Sequence, residues 1–96
     1  MITEQSVINS APDLTAAYLD GEAVILDLKT GQYYGLNEVG ARIFDLVQAP
    51  CTVGEVIEQI VEEYAVETDQ FRQDLLAFLQ EMVSKKLIQV DKSAAA

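Results

Sequence analysis

The chain of 96 residues is poor in the side chains that carry most enzyme chemistry. It has no histidine, so imidazole metal ligands, proton shuttles and histidine-activated nucleophiles are excluded. Its one cysteine, Cys51, cannot form an internal disulfide or a site with several thiolates. Cys51 precedes a predicted helix that could lower its pKa, but a small linker residue is the better interpretation. We therefore expect no catalysis by this chain, no metal and no cofactor.

Basic residues are also scarce. Six lysines and arginines stand against sixteen acids, which gives a formal net charge of −10. Nucleic-acid binding requires clustered basic side chains, and here only Lys85 and Lys86 are adjacent. The charge argues against a nucleic-acid partner and favours a basic one. The alternative is that the acids only keep a small apolar domain in solution.

Long apolar runs are missing as well. No run reaches the roughly 18 residues of a membrane span, and the N-terminus lacks the basic start of a signal peptide. Half of the residues are nevertheless apolar, and a chain of 96 residues is long enough for one domain with a modest core. We expect a cytoplasmic protein with no membrane partner.

Two turn signals divide residues 14–36 into three strands. Asp20-Gly21 separates LTAAYL from EAVILDL, and Thr30-Gly31 precedes QYYGL. The result is a three-stranded antiparallel meander with residues 32–36 at one edge. If both loops have two residues, Ile25 shares a face with Tyr34 and Leu36, and Leu26 and Leu28 share the other with Tyr33. Both faces are then apolar, so either the register shifts or something covers the second face.

Three helices follow the meander. Asn37 is a good N-cap for residues 38–47, Thr52 and Glu55 fit a capping box, and a third helix runs from Thr68 to about Lys86. The third helix has an apolar stripe that we assign to the core, namely Phe71, Leu75, Phe78, Leu79 and Met82. A flank with Arg72, Leu76 and Val83 widens this stripe. The flank either packs against another helix or lines a groove.

The ends of the chain carry weaker signals. Residues 1–12 are interpreted as an arm or a short strand around Val7-Ile8, residues 13–90 as the folded domain, and residues 91–96 as a flexible tail. Residues 87–90 could add a last short strand. Strands followed by three helices indicate an α+β fold of the winged helix-turn-helix type, a three-stranded antiparallel meander followed by a three-helix bundle.

An ordered set of residues in this chain matches a known family. The set comprises Leu26-Asp27, Gly31, Tyr33-Tyr34, Leu36-Asn37, Gly40, Ile43, Thr52, Val56-Ile57, Ile60, Tyr64, Asp74-Leu75, Leu79 and Leu87-Ile88. On these residues, 23–90 resemble the PqqD-like family, the leader-peptide recognition elements of ribosomally made and then modified peptides. Within that family the chain looks most like the free-standing recognition proteins of lasso-peptide biosynthesis.

The resemblance implies a binding role without catalysis. The protein would bind the leader segment of a precursor peptide and present it to a leader peptidase of the cysteine-protease type, with a lasso cyclase acting afterwards. One alternative is a PqqD-type peptide chaperone in pyrroloquinoline quinone biosynthesis or in another radical-enzyme pathway. A winged-helix DNA-binding regulator is the weaker alternative, because no helix offers a basic face.

Strand addition at a sheet edge is the binding mode that suits this chain. An added peptide gains main-chain hydrogen bonds, and its alternate side chains enter pockets. The predicted template consists of Gln32, Tyr33, Tyr34, Gly35 and Leu36. The predicted opposite wall is the flank of the third helix with Arg72, Leu76, Leu79 and Val83. Which of the two tyrosines faces the groove depends on the register.

Overall fold

The computed structural model describes residues 2–91, which form an α+β fold as predicted. The strands are β1 (Val7–Ser10), β2 (Leu14–Leu19), β3 (Glu22–Asp27), β4 (Tyr33–Leu36), β5 (Cys51–Thr52) and β6 (Ile88–Asp91). The helices are α1 (Glu38–Leu46), α2 (Val53–Glu63) and α3 (Thr68–Ser84). The strands divide between two antiparallel sheets, of which the sequence predicted one.

The predicted meander is confirmed as a sheet with the strand order β2-β3-β4. Asp20 and Gly21 connect the first two strands with φ angles of 53° and 82°. A type I′ turn requires positive φ at both central residues, and glycine adopts it at little cost. The Asp-Gly signal therefore identified this hairpin correctly.

The second hairpin has a longer loop than predicted. The Asp27 N–H donates to the Gln32 carbonyl at 2.9 Å, which leaves residues 28–31 in the turn. The Asp27 carboxylate accepts the N–H groups of Lys29 and Thr30 at 2.9 and 3.3 Å, which stabilises this turn. Leu28, predicted to lie in the strand, lies in the turn and is exposed.

The second sheet has the strand order β5-β1-β6. Val7 pairs with Thr52 on one side and with Asp91 on the other, and Ile8 is fully buried. Of the two interpretations of residues 1–12, the structure has the short strand, and that strand is central to the sheet. Of the predicted tail, Asp91 belongs to β6, and the remainder lies outside the described residues.

Side-chain caps fix the three helix starts, and those of α1 and α2 are the predicted ones. The Asn37 side chain accepts the N–H of Gly40 at 2.9 Å, and both hydrogen bonds of the Thr52–Glu55 capping box are present. The helix α3 begins after Glu67, whose carboxylate accepts two backbone N–H groups. These caps account for the short connections between the elements, because each helix begins as soon as the preceding segment ends.

The core lies between the helices and the inner faces of the two sheets. Its fully buried side chains include Ile8, Ile25, Ile60, Leu75, Leu79 and Leu87. The outer face of the meander is open, with Leu19, Val24 and Tyr33 exposed by 77, 46 and 72%. Within residues 2–91 nothing covers this second apolar face.

An exposed ion-pair cluster joins α1 to the end of α2. The guanidinium of Arg42 donates from Nε and Nη2 to the two carboxylate oxygens of Glu63, both at 2.8 Å, and from Nη1 to Asp45. Hydrogen bonds from Arg42 first, and then from Gln59, lower the pKa of Glu63 to about 2.

Candidate functional site

A groove of about 740 Å³ lies between β4 and α3, with α1 at its base. Its residues on β4 and α1 are Tyr33, Tyr34, Gly35, Leu36, Asn37, Val39, Gly40 and Ile43. Its residues from the far wall are Val66, Phe71, Asp74, Leu75, Phe78, Glu81, Met82, Lys85 and Leu87. The volume falls within the range of about 300–1,000 Å³ that is typical of ligand sites in proteins.

Along one side of the groove runs the free edge of the meander, which is β4. The backbone groups of Gln32 point toward β3, because its carbonyl accepts the N–H of Asp27. In an antiparallel pair this direction alternates from residue to residue, so the backbone groups of Tyr34 and Leu36 also point toward β3. The N–H and C=O groups of Tyr33 and Gly35 therefore point away from the sheet. This edge offers hydrogen-bonding groups to a further strand.

The register decides which tyrosine lies toward the groove. Tyr34 lies opposite the buried Ile25, so its side chain is on the inner face and half-buried. Its hydroxyl donates to Gln32 Oε1 at 2.7 Å, and its ring lies beneath Lys85 Nζ. Tyr33 lies opposite Leu26 on the outer face. Of the two tyrosines, Tyr34 is thus the one whose ring lies on the inner face, beside the groove.

The wall formed by α3 is apolar at its base and charged at its rim. Phe71, Leu75 and Met82 are buried, and Phe78 is half-buried. Asp74, Glu81 and Lys85 are exposed along the rim. The groove can therefore accept apolar side chains at its base and polar groups at its mouth.

Gly40 in α1 allows Phe78 to approach closely. A Cβ atom at this position would lie 3.5 Å from Phe78 Cε1, 3.4 Å from Leu36 Cβ and 3.3 Å from the capping oxygen of Asn37. Glycine here lets the aromatic ring, the end of β4 and the helix cap come together at the base of the groove.

The four α3 residues predicted for the opposite wall do not line the groove. Leu79 is fully buried in the core, and Leu76 is half-buried against it. Arg72 Nε lies 2.8 Å from Glu4 Oε2, in an ion pair without hydrogen-bond alignment, and Val83 lines a separate cleft. The sequence alone did not decide what this flank packs against. In the structure the N-terminal segment reaches it through Glu4, and β4 lies beside the opposite flank of α3.

Sequence reasoning therefore did not identify the α3 residues that line this groove. Phe78 was assigned to the core stripe, and Asp74, Glu81 and Lys85 were not considered as wall residues. Their spacing of three and four residues places them on one side of the helix, and this spacing was the available signal. Val39 and Ile43 of α1, which also line the groove, were likewise not considered as site residues. By contrast, residues 33–36 of the predicted template line the groove, and Gln32 contacts Tyr34 at its end.

Reactive side chains do not gather at this groove. Within residues 2–91 no three histidine, cysteine, aspartate or glutamate side chains converge to hold a metal ion. Cys51 lies in β5, outside the groove lining, and its pKa is raised by burial and then by the charge of Glu55. A raised pKa disfavours the thiolate, so the helix start does not activate this thiol. Across the same residues no helix is both long and apolar enough for a membrane span.

Known proteins resemble this chain in sequence and in fold. The family model described as "Coenzyme PQQ synthesis protein D (PqqD)" matches residues 22–88. The structure of TbiB1 in complex with the TbiA(beta) leader peptide is 33% identical, with a TM-score of 0.77 over 84% of this chain and 94% of that one. A lasso peptide synthetase B1 complexed with the leader peptide has a TM-score of 0.74 at 23% identity, over 85% of this chain and 96% of that one, and supports the fold. No curated protein sequence matches the chain. With its family model covering more than half of the residues, the chain belongs to the PqqD family.

Proposed function

We propose that this protein binds the leader segment of a ribosomally made precursor peptide in lasso-peptide biosynthesis and catalyses no reaction itself. The leader adds as a strand to β4 and places side chains in the groove between β4 and α3. The observation that carries this proposal is the coincidence of a free sheet edge with an apolar groove along the same four residues of β4. TbiB1, similar over most of its length, is described in complex with a leader peptide.

The residues of β4, and Gln32 before them, have separate tasks in this proposal. Tyr33 and Gly35 provide the outward main-chain groups that pair with the leader. Tyr34 and Leu36 form the wall against which its side chains pack, and Gln32 positions the Tyr34 hydroxyl. An amphipathic aromatic wall with a bound hydroxyl favours an apolar or aromatic side chain in the leader.

The facing side of α3 replaces the wall predicted from sequence. Phe78 and Met82 provide apolar contact, and Asp74 and Glu81 provide negative charge at the rim. A chain with a net charge of −10 also attracts a peptide that carries lysine or arginine, and this attraction raises the association rate more than the affinity.

Presentation to an enzyme completes the proposed role. Because the leader occupies only an edge and a groove, the residues that follow it remain accessible to a leader peptidase of the cysteine-protease type and afterwards to a lasso cyclase. The pKa shift of Cys51 and the absence of histidine support a binding protein rather than an enzyme.

Titration of a fluorescein-labelled leader peptide tests the proposal directly. The peptide is that of the precursor encoded beside this protein, and fluorescence anisotropy is followed at low and at physiological salt. Saturable binding in the micromolar range or tighter is expected, with a modest weakening at the higher salt. No binding at micromolar protein would contradict the proposal.

A second candidate function shares the same groove. The matching family model is described by coenzyme PQQ synthesis, which favours a peptide chaperone in pyrroloquinoline quinone biosynthesis or in another radical-enzyme pathway. Titration of the protein with the precursor peptides of both pathways separates the two candidates. Tight binding of the quinone precursor peptide together with weak binding of a lasso leader would favour the second.

We further infer that α1, α2 and α3 are arranged as a winged helix-turn-helix, with β1 and β6 as the wing. The chain's sixteen acids support a use of this arrangement other than DNA binding, because a recognition helix requires basic and amide side chains.

A further inference from the structure

A second cleft borders β4 on the outer face of the meander. It has a volume of about 530 Å³, and it shares Gly35, Leu36 and Asn37 with the lining of the groove. The rest of its lining comes from β2, β3 and the turn between them, and includes Ala17, Leu19, Asp20, Glu22 and Val24. We name this space the outer cleft. The groove and the outer cleft thus lie on the two faces of the same end of β4.

Small and apolar residues form the floor of the outer cleft. Ala17, Val24 and Gly35 lie opposite one another on the three strands of the meander, so they share the outer face. A Cβ atom at Gly35 would meet nothing within 4 Å, which leaves the space above this residue open. Val24 is exposed behind it. A side chain that starts beyond β4 can therefore cross Gly35 and reach Val24.

The charged groups of the outer cleft are carboxylates. Within residues 2–91 its charged lining residues are Asp20 and Glu22, which are both exposed. Glu22 has the same strand parity as Val24, so its side chain also starts on the outer face. Neither carboxylate makes an ion pair with a lysine or arginine of this part of the chain. A cation that enters the cleft therefore meets no competing base.

One added strand necessarily presents side chains to both spaces. Successive side chains of a strand alternate between the two faces of a sheet, and neighbours on adjacent strands share a face. The leader residue beside Gly35 therefore points to the outer cleft. The residues directly before and after it point to the groove, on the face of Tyr34 and Leu36. The pleat of the sheet thus assigns one peptide to both spaces.

We propose, building on the leader-binding function above, that the outer cleft binds the side chain of a lysine or arginine of the leader. The aliphatic part of this side chain crosses Gly35 and packs on Val24, and its charged end reaches Glu22 and Asp20. An added strand lies two strand spacings from β3, about 10 Å, which an extended lysine and the Glu22 side chain span together. Lysine and arginine combine an apolar stem with a cationic end, and the cleft offers an apolar floor followed by carboxylates.

Substitution along the leader tests this inference by fluorescence anisotropy. Each leader residue is replaced in turn by lysine and, in a second set of labelled peptides, by norleucine, which has the same aliphatic stem without the charge. At one position the lysine peptide is expected to bind about three- to tenfold more tightly than the norleucine peptide. At the positions directly before and after it, lysine should have no advantage, because those side chains enter the groove.

Protein variants assign the advantage of lysine to the outer cleft. Asp20→Asn with Glu22→Gln removes both negative charges and is expected to abolish this advantage, while the norleucine peptide binds as before. Asparagine suits position 20, because Asn-Gly is a preferred sequence of the type I′ turn. Glu58→Gln with Glu62→Gln changes the net charge equally at exposed positions of α2 and should leave the advantage intact.

The outcomes separate this inference from the leader-binding function. Saturable binding of the leader peptides with no advantage for lysine at any position would overturn the assignment of the outer cleft and leave leader binding intact. An advantage that persists unchanged in the Asp20→Asn and Glu22→Gln double variant would also overturn it, since the lysine would then lie elsewhere. No binding of any peptide would overturn both.

Discussion

Lys85 Nζ lies 5.6 Å from the centroid of the Tyr34 ring, so the end of α3 and the strand β4 meet across the mouth of the groove. A cation at this distance from an aromatic ring is attracted to its face. The Tyr34 hydroxyl is bound at the same time to Gln32. The ring is therefore held at its hydroxyl and at its face before a peptide binds. Less side-chain conformational entropy is then lost on binding.

Removal of this ring is expected to weaken leader binding. Tyr34→Ala should raise the Kd about five- to thirtyfold, because a buried aromatic anchor typically contributes more than about 1 kcal/mol at an interface. Tyr33→Ala is the comparison, since it keeps the main-chain groups that pair with the leader and removes only a side chain on the outer face. It should raise the Kd less than Tyr34→Ala does, by under about threefold. Anisotropy titrations measure both, with thermal melts to verify folding. A larger loss for Tyr33→Ala would contradict the inward placement of Tyr34.

The main-chain pairing of β4 can be tested at Gly35. Gly35→Pro removes an N–H that points away from β3, and proline is tolerated on an edge strand in that position. It should weaken leader binding roughly tenfold or more, since one hydrogen bond is lost and the proline ring obstructs the added strand.

Gly35→Ala separates this effect from the loss of glycine. A Cβ atom at Gly35 meets nothing within 4 Å, so alanine keeps the N–H and should bind the leader nearly as the parent does. Equal Kd values for the proline and alanine variants, both folded by circular dichroism, would argue against strand addition at this edge.

The faces of the meander were predictable even though a loop length was not. The sequence predicted a two-residue loop that pairs Lys29 with Gln32, and the structure pairs Asp27 with Gln32. The register thus moves by two residues, and a strand has a period of two, so Ile25 and Tyr34 share a face in both cases. The longer loop is stabilised by hydrogen bonds to the Asp27 side chain, and a pattern of apolar residues does not reveal such bonds.

The groove wall on α3 could not be chosen from sequence in the same way. The helix has a core stripe with two flanks, and the flank with Leu76 and Val83 is the more apolar one. Its neighbourhood depends on contacts distant in sequence, such as the ion pair of Arg72 with Glu4. The second sheet was missed for a related reason, because the pairing of Val7 with Asp91 joins opposite ends of the chain.

Acid stability is expected to depend on Glu63. Its pKa of about 2 lies below the value of about 4.3 for a free glutamate. A lowered pKa in the folded state stabilises the fold above the unfolded pKa, and this stabilisation is lost as the pH falls from about 4.3 through about 2.

Glu63→Gln should therefore lower the Tm relative to the parent at neutral pH, and the two melting curves should converge toward pH 2. Glu58→Gln is the matched control in the same helix, since Glu58 is exposed and its difference from the parent should be small. A Tm difference for Glu63→Gln that stays constant between pH 2 and pH 6 would show that Arg42 does not act through the ionised carboxylate.

The left-handed backbone at Lys86 predicts a gain in stability when glycine stands at this position. At a φ of 63°, a side chain brings its Cβ atom close to the backbone, and glycine has no Cβ. The free energy of unfolding of Lys86→Gly should therefore be about 0.5–1 kcal/mol higher than that of Lys86→Ala. Urea titrations of the two variants measure this difference, in which the loss of the lysine charge cancels. Equal stability of the glycine and alanine variants would mean that position 86 carries no backbone strain.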